Sequence, residues 1–73
     1  MGDYVIWSFE HKAWWAPNRY GYTRLLDEAG RYTQAEADAI VADANLVPGT
    51  EHERALTVDE AQRHGPPTVQ GHP

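Results

Sequence analysis

Few residues in this chain have the chemistry of a reactive site. There are four histidines, His11, His52, His64 and His72, and no cysteine. Two of the histidines stand beside carboxylates, in Glu10-His11 and Glu51-His52-Glu53. A zinc site needs three or four converging ligands. The chain has neither a His-x-x-x-His nor a His-Glu-x-x-His spacing, and adjacent residues of a strand point to opposite faces. No metal site is expected. Acid–base work by His11 with Glu10, Asp27 or Glu28 needs a cleft that gathers them, and nothing in the sequence places them in one. Ser8 and His11 have the residue types of a nucleophile and its base, without a third orienting group or an oxyanion loop. Gly21 and Gly30 are isolated, so no phosphate-cradling glycine loop exists. The sequence therefore predicts a protein that is not an enzyme and uses no cofactor.

A second cluster has a different chemistry. Trp14, Trp15, Tyr20 and Tyr22 stand beside Lys12, Arg19 and Arg24, the composition of a platform that stacks the bases of single-stranded nucleic acid. The same side chains are also the main material for a core. All eight aromatic residues lie between Tyr4 and Tyr32. The two readings are compatible if one tryptophan of the pair faces outward.

Charge points to another kind of partner. The 73 residues carry a net charge of −5. Residues 1–26 hold two acids against three bases, whereas residues 27–60 hold nine acids against two bases. The acidic part repels phosphate, which makes direct nucleic-acid binding unfavourable, and it attracts a basic protein surface. Asp27, Glu28, Glu36, Asp38, Asp43, Glu51 and Glu53 are the candidate contact residues. No apolar run approaches the roughly 18 residues of a membrane span. The start Met1-Gly2-Asp3 lacks the basic and apolar regions of a signal peptide, and the absence of cysteine fits a reducing cytoplasm.

The elements that position these residues follow from pattern. Asp3–Phe9 is rich in β-formers, and both of its faces are largely apolar, so it reads as a central strand. Lys12–Ala16 reads as a second strand antiparallel to it. Pro17-Asn18-Arg19 suits a tight turn, with a positive φ at Gly21. Leu25 and Leu26 are expected to anchor in the core. Thr33-Gln34-Ala35-Glu36 is a capping box and opens the one clear helix, running to about Asn45. Ala37, Ile40, Val41 and Ala44 form its inward stripe, and Ala35, Ala39, Ala42 and Leu46 its outer one. Glu53–Val58 reads as a last strand, and Thr57-Val58-Asp59-Glu60 repeats the capping pattern before a short helical turn to Arg63. The fold class is α+β: a small antiparallel sheet of three to four short strands packed by one helix. Residues 1–63 form a single domain, and 64–73 read as a disordered tail.

The run Glu10-His11-Lys12-Ala13-Trp14-Trp15-Ala16-Pro17-Asn18, with Trp7-Ser8 before it and Gly21-Tyr22-Thr23, Glu28-Ala29-Gly30-Arg31-Tyr32 and a Glu/Ala helix after it, resembles a family of very small phage and prophage proteins. The resemblance covers roughly residues 4–46. It implies an anti-CRISPR protein acting in the bacterial cytoplasm on the type I-C crRNA-guided surveillance complex (Cascade). There a compact acidic protein would occupy a basic groove and keep target DNA out. The alternative is a phage accessory protein that binds single-stranded nucleic acid through the aromatic and arginine platform.

Overall fold

The computed structural model describes residues 2–45 and 52–67. Its elements in chain order are β1 (Tyr4–Ser8), β2 (Ala13–Trp15), β3 (Tyr22–Thr23), α1 (Gln34–Ala44), β4 (Glu53–Thr57) and α2 (Val58–His64). The strands form one antiparallel sheet in the order β3-β2-β1-β4. The α+β class and the strand count expected from the sequence are therefore correct, and β1 lies inside the sheet.

Because side chains alternate along a strand, β1 supplies both faces of the sheet. Val5 joins Trp14, Ala29 and Ala61 on one face, with Trp7, Leu26, Leu56 and Val58 packed against them. Trp7 and Trp14 are cross-strand partners whose rings meet edge to face at 4.9 Å, a favoured aromatic geometry. Ile6 joins Tyr32, Ala37 and Ile40 on the other face, with Tyr4, Trp15, Val41 and Ala55 around them. The inward stripe of α1 covers this second face. The first face is covered by α2 and by the turn Leu26–Glu28 with Ala29.

The expectation of one packing helix is corrected here. The segment read as a short helical turn is a helix of seven residues that buries Ala61. Helices this short are marginal alone. This one is held by its capping box (Glu60 N–H to Thr57 Oγ1, 3.0 Å; Thr57 N–H to Glu60 Oε1, 3.1 Å) and by the Asp59–Arg63 pair at 3.1 Å. The capping box of α1 is formed the same way, with Glu36 N–H on Thr33 Oγ1 at 3.1 Å and Thr33 N–H on Glu36 Oε1 at 2.8 Å. His64 ends α2 instead of opening a tail. Residues 68–73 of the expected tail, and Leu46 of the outer stripe, lie outside the described residues.

Leu25 is another correction: it is 59% exposed, and Leu26 alone reaches the core. The chain reverses between β2 and β3 at Pro17–Tyr20. Asn18 (φ 58°, ψ 27°) and Arg19 (φ 61°) are both left-handed, and Tyr20 N–H closes on Pro17 O at 3.1 Å. Two consecutive positive φ values make the turn twist with the strands. Asn tolerates this conformation, but for Arg it costs about 1 kcal/mol or more. Gly21 (φ 79°) follows and pairs with Ala16, whose N–H bonds Gly21 O at 3.0 Å.

Tyr32 holds this turn from beneath. Its buried ring places a hydroxyl that donates to Ala16 O (2.5 Å) and accepts from Arg19 N–H (3.0 Å). Gly30 lets the chain pass close by, since a Cβ there would lie 2.8 Å from Ala16 O and Pro17 Cα. We expect Tyr32→Phe to cost about 1–2 kcal/mol in urea denaturation, because two backbone groups lose one shared partner. A loss near zero would mean that the turn stands without the hydroxyl.

Candidate functional site

The residues with catalytic potential do meet, in a setting that closes them off. Ser8 Oγ is 3.1 Å from His11 Nδ1 and accepts the His11 backbone N–H at 3.1 Å. Ser8 is fully buried in the sheet, so its hydroxyl ties the β1–β2 turn and is out of reach of a substrate. The His11 ring stacks on Tyr22 at 3.9 Å with 16° between planes, and Tyr22 meets Trp15 edge to face at 5.8 Å. Among the described residues no group of three His, Cys, Asp or Glu gathers to hold a metal.

Glu53 lies opposite Ser8 in the β1–β4 register and is only 5% exposed. Its backbone is clamped by Asn45, whose Nδ2 donates to Glu53 O at 2.8 Å while Oδ1 accepts the His52 and Glu53 N–H groups at 2.7 and 3.2 Å. Glu53 Oε1 and Trp15 Nε1 are buried without a hydrogen-bond partner among the described residues. Burial raises the Glu53 carboxyl above its ordinary value, and the Trp15 indole and the His11 and His52 rings offset only part of this. Tyr22 is raised as well, first by burial and then by the charges of Glu53 and Glu10.

The seven candidate acids do not form one surface. Glu53 is removed from the set by its burial, because a strand residue facing α1's layer cannot reach a partner. Glu51 lies outside the described residues. Asp27 and Glu28 are exposed on the turn whose neighbours Leu26 and Ala29 pack on the α2 side. Glu36, Asp38 and Asp43 are exposed on α1, which covers the opposite face. Around α1, at 100° per residue, Asp38 flanks one side of the outward alanines and Glu36 and Asp43 flank the other. Ala35, Ala39 and Ala42 are all exposed between them. Glu36 is held below the usual carboxylate range, first by the Thr33 backbone N–H and then by the Thr33 hydroxyl. It stays ionised at neutral pH.

The aromatic residues of the expected stacking platform are placed differently from the expectation. Trp14 is buried and Trp15 is half-buried, so neither tryptophan is the outward ring. Among the described residues the exposed large apolar side chains are Tyr20 (85%), Tyr22 and Leu25, all within one stretch of six residues along the sheet's β3 edge. Lys12, Arg19, Arg24 and Arg31 are exposed as well. Between the β2–β3 turn and the start of α1 lies an open cavity of about 280 Å³, lined by Pro17, Asn18, Arg19, Arg31, Tyr32 and Glu36. Sequence reasoning did not bring Arg31 to this place. Gly30 and the Tyr32 anchor swing it there, and neither leaves a local pattern that names Arg31.

No helix among the described residues is long and apolar enough to cross a membrane. No family model, curated protein or solved structure matches the chain.

The Glu53 environment gives a pH-dependent expectation. A carboxyl raised in the fold above its ordinary 4.5 contributes stability that is fully present below the unfolded value and lost as pH rises through the folded one. Glu53→Gln should therefore match the parent near pH 4 and exceed it by about 1 kcal/mol or more at pH 7. Urea denaturation at the two pH values reads this difference directly. The capping glutamates cancel between parent and variant, so an equal gap at both pH values would mean that burial of Glu53 does not govern its titration.

Proposed function

We propose that the protein is a binding module that sets the outward face of α1 into a cationic groove of a macromolecular partner. The observation that carries this reading is the pattern on that face: three exposed alanines flanked by Asp38 on one side and by Glu36 and Asp43 on the other. Alanine leaves the helix backbone close to whatever it meets. Carboxylates on both flanks suit two basic walls more than a single basic strip, and complementary charge of this kind sets specificity and association rate. The resemblance of the Glu-His/Trp-Trp-x-Pro-Asn/Gly-Tyr-Thr run to small phage proteins supplies the partner. It is the type I-C crRNA-guided surveillance complex, with inhibition arising because the occupied groove no longer takes target DNA. Glu53 has no part in this contact, and Asp27 and Glu28 belong to another layer.

The test is a mobility shift of purified type I-C surveillance complex on labelled target DNA. The parent protein should abolish the complex–DNA band, and the effect should weaken as salt rises. The Asp38→Lys/Asp43→Lys double variant should need about tenfold more protein or worse for the same inhibition. The Asp27→Lys/Glu28→Lys variant should inhibit as the parent does, and circular dichroism would show that both remain folded. An unaffected DNA band with the parent protein, or equal inhibition by both variants, would defeat the α1 reading.

A further inference from the structure

We infer that the cavity between the β2–β3 turn and the first turn of α1 is a phosphate-binding site for a nucleotide, either free or as a unit of a single strand. Arg19 and Arg31 would hold the phosphate, and the Tyr20 ring would stack the base. This inference is separable from the α1 reading, since Glu36 is the one side chain that borders both sites.

The argument starts from Arg19. It occupies a left-handed position where glycine would be free of strain, and the turn does not need its side chain. The Tyr32 hydroxyl takes only the Arg19 backbone N–H. Lys12 and Asn18 are left-handed as well, and of the two cations among these three residues only Arg19 lines the cavity. Arg31 lines the same cavity from the other chain segment. Both guanidiniums are exposed, and among the described residues neither has an ion-pair partner within 4.0 Å. Guanidinium presents a planar fork of donors that matches a phosphate in two-point contact.

Glu36 is the acid of the cavity, one carboxylate against two guanidiniums. Its Oε1 accepts Thr33 N–H at 2.8 Å, and its charge also attracts Arg19. The end of the helix dipole is taken by the helix cap, so the site rests on the two arginines. The choice of a nucleotide over a bare anion comes from Tyr20. It follows Arg19 directly and is 85% exposed, more than any other tyrosine, tryptophan or phenylalanine ring of the chain. Sequence-tolerant base stacking on such a ring is a general mode of single-strand recognition.

The experiment uses the full chain and nuclear magnetic resonance titration, following the Arg19 and Arg31 side-chain Nε–H signals and the Tyr20 ring. Thymidine monophosphate, an oligothymidylate and inorganic phosphate are the probes. The expected result is a set of shifts confined to these three residues with thymidine monophosphate. Inorganic phosphate should bind at least about tenfold more weakly, because the base contact is missing. Tighter binding of the oligothymidylate would identify a strand as the source, and equal binding a free nucleotide. Arg19→Gly is the decisive variant. It should leave Tm unchanged or raised, since strain is relieved, and weaken binding by about tenfold, the scale of one charge-assisted contact. Arg31→Gln should weaken it similarly and lower the salt slope for the oligothymidylate by about one. Absence of shifts at millimolar probe, undiminished binding by Arg19→Gly, or inorganic phosphate binding as tightly as the nucleotide would each overturn the proposal. The Asp38→Lys/Asp43→Lys variant should bind the nucleotide as the parent does, which separates this site's failure from that of the α1 face.

Discussion

β1 is apolar on both faces, and a chain of this size must therefore cover a sheet twice. Val5 and Trp7 need one layer, and Tyr4 and Ile6 another. No single helix can satisfy both sides. The chain answers by dividing its small cover: α1 takes the Ile6 face, and α2 with the Leu26–Ala29 turn takes the Val5 face. Each cover is thin, contributing mainly Ala37 and Ile40 on one side and Ala61 and Ala29 on the other. A thin core leaves little surplus stability, so features worth about 1 kcal/mol carry more weight here than in a larger domain. The two capping boxes and the shared Tyr32 hydroxyl are of that kind.

The same constraint decides what remains for the surface. The tryptophans are consumed between layers, so the exposed rings are tyrosines on the β3 edge. That edge is only two residues long, a common way of making an edge unattractive to another strand. The longer edge, β4, is protected differently. Asn45 occupies Glu53 N–H and C=O at one end, and Glu60 occupies Thr57 N–H at the other. Recognition through side chains is left as the main mode, either from the outer face of α1 or from the hairpin. The alanines that suit α1 to lie flat on a partner also favour the helix itself, so one composition serves both the fold and the proposed contact.

The legibility of this molecule in its sequence varies with the range of the interaction. Local rules were sufficient for the two capping boxes, the inward stripe of α1, the Gly21 turn and the Asp59–Arg63 pair, because each is decided within a few residues. The double apolar alternation of Asp3–Phe9 announced a covered central strand. The number of covers was harder. Val58–His64 has only Ala61 as a buried residue, too little periodicity to mark a packing helix, and its place follows from the need of the Val5 face. Glu53 was misread because its charge suggests exposure, while its fate is set by register opposite Ser8 and by the Asn45 clamp from α1. Leu25 and Leu26 are indistinguishable by type, and only the turn that begins at Leu26 selects which one enters the core.

Net charge is a poor guide to what such a molecule binds, and the reason is one of length. The molecule extends 33 × 24 × 19 Å, whereas charges in physiological salt are screened over about 8 Å. A ligand at the cavity therefore feels Arg19, Arg31 and the capped Glu36 far more than the total of −5. A partner lying along α1 feels Asp38 and Asp43 far more than Lys12 or Arg24 at the hairpin. Glu36 alone belongs to both neighbourhoods, on the flank of α1 and on the cavity wall, and its commitment to Thr33 makes it a fixed charge in each. The acidic helix face and the arginine-lined cavity meet at Glu36, whose charge also interacts with Arg19.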